Sequence, residues 1–262
     1  MKKILLLAAT VGLAAFATQS QGALVYDGFD YTVGSTLEAA SDEWAWLNTG
    51  TAPVIASGNL TIPGLPAPTG NKVSFAAGNI QEALGTLNTY NSGAVFFSLA
   101  FQLTALPTSS TYSFALATGN TNFGAAVWLQ ANGTEFNIGL SNRSNSTPSY
   151  SSSYSLNQPI FLVGSYEFVS GTANDISSLW INPASSTFGD ATAPSPTLTA
   201  LGGADMTSFT QFLLRGASGS PSGEMDELRV GTTWAAVTPV PEPSATALLA
   251  LAALGLGVRR RR

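Results

Sequence analysis

Apolar and polar residues alternate with a period of two along most of the chain, and no long stripe with the 3.6-residue period of a helix occurs between residues 24 and 238. The clearest case is the segment 97–104, in which every second residue from Phe97 to Leu103 is large and apolar. This pattern is typical of a strand with one buried face. We expect further strands at residues 24–31, 59–62, 72–75, 112–118, 125–130, 136–140, 161–168, 179–181, 209–214 and 226–230.

Turn and loop signals separate these segments. The Asn132-Gly133 pair predicts a tight hairpin. Residues 141–155 are rich in Ser, Asn and Tyr and predict a long, mobile loop, and residues 183–196 predict a second loop. Many short strands with alternating faces favour an all-β domain of two packed antiparallel sheets. Since similar segments continue on both sides of each loop, we expect one domain, at residues 23–238.

Composition and charge exclude several functions. Hydrophobic residues make up 45% of the 262 residues, which is ample for a core, and charged residues only 10%. Without the two terminal segments, the chain carries four basic and fourteen acidic residues, a net charge near −10. Such a domain would repel phosphate backbones, so we expect no nucleic-acid partner.

The chain contains neither cysteine nor histidine. The absence of cysteine rules out disulfides, zinc–thiolate sites and thiol nucleophiles. The absence of histidine rules out a Ser-His-Asp triad and removes the commonest general base. The range of accessible chemistry is therefore narrow.

Residues 1–22 have the form of a signal peptide. Lys2 and Lys3 precede an apolar run that is broken only by Thr10 and Gly12, and small residues precede a plausible cleavage site before Ala23. We therefore expect export through the Sec machinery and cleavage by signal peptidase.

The other end of the chain, residues 239–262, is equally distinctive. Val240, Pro241, Glu242 and Pro243 precede an uncharged apolar run at residues 245–258, which predicts a short transmembrane helix. At ~1.5 Å per residue this helix would span roughly 21 Å, less than the ~30 Å of a hydrocarbon core. The basic cluster that follows would stay on the cytoplasmic side and orient the segment; it consists of Arg259, Arg260, Arg261 and Arg262.

This order of elements resembles the PEP-CTERM sorting signal, a segment that is also called the ice-binding protein C-terminal domain. The resemblance covers about the last 25 residues. It implies recognition by an exosortase, a membrane-embedded sorting enzyme, in a Gram-negative-type bacterium that makes exopolysaccharide. It also implies an inner-membrane-tethered precursor that later reaches the cell surface or extracellular matrix. The ice-binding label concerns the tail, since the domain lacks a regular threonine array.

A second resemblance concerns the domain itself. The opening segment 24–31, the closing segment 226–234 and the segment 179–183 resemble parts of concanavalin A-like, laminin-G-type domains. This resemblance implies a curved jelly-roll sandwich of two sheets. Because lectins, adhesion modules and glycanases all use such folds, function does not follow from it.

The best enzymatic candidate is the pair Glu224 and Asp226, two residues apart as in glycanases that use paired carboxylates. A third acid at the next alternate position is missing, because residue 228 is leucine. The alternative is a structural strand on which Glu227 and Arg229 pair while Leu228 faces inward. We expect the structural alternative and therefore no catalytic residues.

Two further groups are weaker candidates. Asp27, Asp30, Asp42 and Glu43 offer oxygen ligands, but no calcium-loop motif supports a metal site, so we expect no cofactor. Trp44 and Trp46 share a face if their segment is extended, either as glycan contacts or as part of the core.

Together these observations predict an exported, exosortase-sorted, non-enzymatic surface or matrix protein that associates with glycan or exopolysaccharide. A glycan-cleaving enzyme that uses Glu224 and Asp226 is one alternative. A purely structural matrix protein without a specific ligand is another.

Overall fold

The computed structural model describes residues 25–77 and 87–241, with residues 80–84 described by their backbone alone. Two antiparallel sheets pack face to face. The strands of the first, sheet A, are β1 (Val25–Asp27), β3 (Val54–Ala56), β4 (Lys72–Phe75), β6 (Gly93–Ala105), β11 (Ile160–Phe168), β12 (Ile176–Ile181), β13 (Leu198–Leu201) and β15 (Ser222–Gly231). Those of the second, sheet B, are β2 (Trp44–Trp46), β5 (Ile80–Leu84), β7 (Thr111–Thr118), β8 (Asn122–Asn132), β9 (Glu135–Arg143), β10 (Ser149–Tyr154) and β14 (Gln211–Gly216).

The strand order shows that both sheets draw on distant parts of the chain. Sheet A has the order β13-β12-β11-β6-β15-β4-β3, with β1 beside β15, and sheet B has the order β10-β9-β8-β7-β14-β5-β2. Among the described residues, two short helices, α1 (Leu37–Ala40) and α2 (Trp234–Val237), and a 3-10 turn at Ser185–Thr187 accompany the sheets. The predicted all-β sandwich of two antiparallel sheets is confirmed.

The core lies between the sheets and follows the alternation of the sequence. On β6, the apolar residues from Val95 to Leu103 at every second position are fully buried, as the pattern of residues 97–104 predicts. On the facing strand β14, Phe212 and Leu214 are buried, and the ring of Phe212 lies 5.4 Å from that of Phe97. Burial of each such side chain stabilises the fold by about 1.5–3 kcal/mol.

A β-bulge interrupts β15 in the middle of sheet A. Asp226 pairs with Ala100 and Arg229 with Ser98, so β15 carries one residue more than β6 over this stretch. Glu227 adopts a positive φ of 56° at the bulge. The bulge separates the half of β15 that pairs with β4 from the half that pairs with β1.

The outer face of sheet A is covered by a third layer. Helix α2 and the loop that follows β12 bring Trp234, Val237 and Phe188 onto Phe161 and Trp180, which point outward from β11 and β12. The rings of Trp180 and Trp234 lie 5.1 Å apart. Phe161 and Val163 on the outer face of β11 are therefore buried as well as its core side chains, which explains the near-continuous apolar run of this strand.

The structure differs from the sequence predictions in several segments: β3, β5 and β13 lie outside the predicted strands, and of the predicted strand 24–31 only Val25–Asp27 forms one. Residues 59–62 form no strand; the Leu60 N–H donates instead to Asp226 Oδ2. Within the predicted loop 141–155, β10 pairs with β9, because the Tyr150 ring packs over Gly139 and Ser153 bonds to Asn137. A serine-rich strand at a sheet edge has no apolar alternation, so its sequence pattern indicates a loop.

Other predicted connections agree with the structure. The hairpin between β8 and β9 closes at the pair Asn132–Glu135, and Gly133 has a φ of 65°. Residues 183–196 contain the 3-10 turn and otherwise no regular element. The predicted signal peptide, together with residues 242–262 of the tail, lies outside the described residues. Within the described part of the chain, no helix is long and apolar enough to cross a membrane.

Candidate binding face

The structure places the two tryptophans of the sequence prediction in different environments. Trp44 is only 2% exposed, its indole N–H donates to Asp27 Oδ2 at 2.8 Å, and its ring lies 6.1 Å from that of Phe29. The expectation of a glycan contact at Trp44 is therefore wrong, because its ring is enclosed in the core.

Trp46 is half-buried on the edge strand β2. Together with residues 47–50 it lines an open cavity of about 550 Å³. A glycan contact at Trp46 stays a prediction.

The acids near the N-terminus serve the fold. Asp27 is buried and accepts hydrogen bonds from the Phe29 N–H at 2.8 Å, the Tyr31 hydroxyl at 3.0 Å and Trp44. Burial raises the pKa of Asp27 above its ordinary value, although the three donors oppose that rise. Asp30 is exposed. Among residues 25–77 and 87–241, no group of three Asp, Glu, His or Cys side chains is placed to hold a metal ion.

Glu224 and Asp226 lie on the outer face of sheet A, under the loop of residues 57–70. Glu224 pairs with Lys72 at 2.9 Å and accepts a hydrogen bond from the Gln102 side-chain amide at 2.6 Å. Asp226 is fully buried and accepts from the Leu60 and Glu227 N–H groups, both at 2.8 Å. Burial raises its pKa to about 7. Both carboxylates therefore hold a loop and neighbouring strands in place.

The predicted pair on β15 is confirmed. Glu227 Oε2 and Arg229 Nη2 are 2.5 Å apart, and both side chains are nearly buried, whereas Leu228 faces the core. The Tyr26 hydroxyl donates to Glu227 Oε1 at 2.8 Å, and the Arg229 guanidinium lies 4.6 Å from the centre of the Tyr26 ring. This cluster ties β1 to β15.

The outer face of sheet B carries a different surface. Tyr112 and Trp128, both half-buried, and the buried Phe123 lie beside a floor of small side chains on β7 and β8. We call this set the aromatic face; it comprises Tyr112, Ala115, Ala117, Phe123, Ala126, Trp128, Leu213 and Arg215. The floor residues Ala115, Ala117, Ala126 and Leu213 are fully buried beneath these larger side chains.

The rings of the aromatic face are held in fixed positions. The Tyr112 ring lies 5.4 Å from Trp128 and 5.7 Å from Phe123, and the Arg215 guanidinium lies 4.2 Å from the Tyr112 ring centre. Arg215 Nη1 also donates to Thr111 Oγ1 at 2.9 Å. A β-bulge between Tyr112 and Phe114 turns Tyr112 outward.

Polar groups accompany the rings. The Trp128 indole N–H donates to Ser141 Oγ at 2.7 Å, which fixes the ring plane. Among the described residues, Ser113 Oγ, Gln211 Oε1 and Arg215 Nε are buried atoms without a hydrogen-bond partner. All three residues lie on the adjacent strands β7 and β14. Such unpaired buried polar atoms cost free energy in the folded state.

The sequence of β8 gives one indication of this face, but its apolar residues do not alternate with polar ones. Trp128 lies between Val127 and Leu129, so this strand is apolar on both faces. Such a run is also typical of a strand buried on both sides. Only the structure shows that the side of sheet B that carries Trp128 is left partly open.

A comparison with known families and structures identifies the tail. Residues 239–262 match the PEP-CTERM protein-sorting motif. The motif marks the chain as an exported protein that is sorted to the cell envelope, as the resemblance of the tail implies. No curated protein matches the chain.

Several solved structures resemble the chain at low identity. A Trypanosoma rangeli sialidase is 10% identical with a TM-score of 0.43, over 71% of this chain and 28% of the sialidase. A glycosyl hydrolase family protein from Mycobacterium fortuitum is 13% identical with a TM-score of 0.43, over 79% and 98% of the two chains. A heptameric SAP-like pentraxin from Limulus polyphemus is 16% identical with a TM-score of 0.37, over 70% and 79%.

These similarities correct one expectation. The sequence led us to expect a protein without enzymatic activity. That expectation is wrong as an exclusion, because structures similar to this chain include a sialidase and a glycosyl hydrolase family protein.

Proposed function

We propose that the domain associates with extracellular polysaccharide through the aromatic face of sheet B. The observation that carries the proposal is the pairing of half-buried Tyr112 and Trp128, whose rings lie 5.4 Å apart, with the Arg215 guanidinium 4.2 Å from the Tyr112 ring centre. Ligand sites commonly combine aromatic and apolar lining with a few convergent polar groups.

A saccharide suits this surface chemically. The apolar face of a sugar ring packs against aromatic rings, and its hydroxyl groups both donate and accept hydrogen bonds. The Arg215 guanidinium beside the Tyr112 ring supplies N–H donors for such hydroxyl oxygens. An exported protein of the cell envelope meets polysaccharide where it acts.

Titration of the mature domain, residues 23–238, against the producer's exopolysaccharide and a glycan panel tests the proposal. We expect saturable binding to one glycan class, and we expect Trp128→Ala to weaken it at least ~10-fold, or about 1.4 kcal/mol. Trp46→Ala is the comparison variant, because a glycan contact at Trp46 is the competing prediction from the sequence and Trp46 lies outside the aromatic face; it should bind like the wild type if the aromatic face alone holds the ligand.

Two results would contradict the proposal. A folded domain that binds no glycan would favour a purely structural matrix protein. Equal loss of affinity in Trp46→Ala and Trp128→Ala would remove the assignment to the aromatic face.

The processing of the chain forms the second part of the proposal. After export through the Sec machinery and removal of the signal peptide, the apolar run 245–258 holds the precursor in the inner membrane, and an exosortase then acts at the sorting motif. Deletion of residues 240–262 should release the protein into the medium without surface retention. If the deleted form is retained like the full chain, the tail does not direct sorting.

A further inference from the structure

The chain leaves the folded domain over the outer face of sheet A. Helix α2 packs there, and Ser98 Oγ, on the outer face of β6, donates to the Val237 carbonyl at 2.6 Å. Thr238 is 0% exposed; its hydroxyl donates to the Trp234 carbonyl at 2.9 Å and accepts from the Gly189 N–H at 3.3 Å. The last turn of the domain is therefore fastened to this face.

The contact continues up to the sorting motif. Val240 is 51% exposed but lies so close to Gly189 that a Cβ atom at position 189 would come within 3.3 Å of Val240 Cγ1. Only residues 242–244 separate Pro241 from the apolar run that begins at Ala245. At ~3.3–3.6 Å per residue, the chain from Pro241 to Ala245 spans at most ~14 Å.

The aromatic face lies on the opposite side of the sandwich. Stacked sheets are ~10 Å apart, and a layer such as α2 adds roughly 10 Å more. The aromatic face therefore lies about 20 Å from the exit of the chain, measured perpendicular to the two sheets. Because the tether is shorter than this distance, the aromatic face cannot lie flat on the bilayer while the tail is inserted in it.

We propose that, in the precursor that carries its tail, the outer face of sheet A lies against the lipid bilayer and the aromatic face points away from it. This inference rests on the membrane tether of the proposed function. The loop of residues 182–197, which covers sheet A beside the exit, carries Asp190 as its single charged residue. The length of the tether therefore sets the orientation, and attraction between the loop and charged headgroups does not. High salt should leave the orientation unchanged.

The lack of native cysteine allows a direct test. Ser186→Cys labels the exposed 3-10 turn beside α2, and Thr134→Cys labels the tip of the β8–β9 hairpin of sheet B. Each single-cysteine precursor, with its tail, is labelled with a donor dye and reconstituted in phosphatidylethanolamine–phosphatidylglycerol vesicles that contain acceptor-labelled headgroups. We expect energy transfer to be several-fold stronger from position 186 than from position 134, at low and high salt.

A spacer variant is the matched control. A flexible insert of 20 Gly and Ser residues between Val240 and Pro241 spans ~25 Å on average and should abolish the difference between the two labels. Equal transfer from both labels without the spacer, or stronger transfer from position 134, would overturn the inference. So would a precursor that fails to float with the vesicles.

A measurement of exopolysaccharide binding to the same vesicles tests the glycan proposal separately from the orientation. If the labels differ as expected but no glycan binds, the orientation stands and the glycan proposal fails. If glycan binds and the labels do not differ, the orientation is wrong and the binding face stands.

Discussion

Replacement of Asp226 by asparagine should change the way in which stability depends on pH. The carboxyl group is fully buried on the outer face of sheet A and accepts two backbone hydrogen bonds, from Leu60 and Glu227. Burial raises its pKa from 3.8 to about 7, because loss of water disfavours the charged form more than the two donors and Lys72 favour it. Asparagine has the same shape but does not titrate in this range.

The magnitude follows from the two pKa values. Between about pH 4 and pH 7 the folded protein holds a proton that the unfolded chain has released, so the free energy of unfolding falls as pH rises. Each pH unit of difference contributes ~1.36 kcal/mol, which gives a loss on the order of 4 kcal/mol from this group. The stability that the neutral carboxyl contributes is complete below about pH 4 and is lost once pH exceeds about 7.

Urea unfolding at a series of pH values from 4 to 8 measures this effect. In Asp226→Asn, the amide cannot accept from both N–H groups, so the variant should lose ~1–3 kcal/mol at pH 4. Between pH 4 and pH 7, the free energy of unfolding of this variant should nevertheless fall by less than that of the wild type, with a difference on the order of 4 kcal/mol. Asp190→Asn, an exposed acid, is the control and should keep the wild-type slope. An unchanged slope in Asp226→Asn would refute the reasoning.

Two further substitutions test the N-terminal part of sheet A. Asp27→Ala leaves three hydrogen-bond donors unpaired, among them the buried indole N–H of Trp44. Urea titration should therefore show a free energy of unfolding that is lower by ~3 kcal/mol or more. A loss below ~1 kcal/mol would show that these hydrogen bonds contribute little to stability. Gly70→Ala should lower the free energy of unfolding by ~1–3 kcal/mol, because φ is 82° and the new Cβ would lie 2.4 Å from the Gly28 carbonyl oxygen. The midpoint of thermal unfolding should fall accordingly, and an unchanged midpoint would contradict this prediction.

The sandwich could be predicted from the sequence because alternation of apolar and polar residues indicates a strand that is buried on one face. The segment 97–104 is the best example, since each of its outward residues is polar or small and each inward one is large. The same logic failed at β10, where Ser149–Tyr154 forms a strand without apolar alternation. Edge strands need little burial, so their positions depend on pairing with a neighbour rather than on composition.

The candidate site was less predictable than the fold. From the sequence, Trp44 and Trp46 are either glycan contacts or part of the core, and in the structure Trp44 fills the core and bonds to Asp27. Trp128 lies within a run that is typical of a strand buried on both sides. Which outer face stays open depends on where α2 and the loop after β12 pack, and these elements cover sheet A. Such long-range placement leaves no local trace in the sequence.

The indole N–H resonances of the five tryptophans provide the most direct test of the glycan-binding face. In ¹⁵N–¹H spectra of the mature domain, addition of the bound polysaccharide should shift the Trp128 indole signal saturably. The signals of Trp44, Trp180 and Trp234 should stay in place, because these side chains are buried and donate to internal acceptors. Saturable binding that leaves the Trp128 signal unmoved would contradict the assignment of the aromatic face.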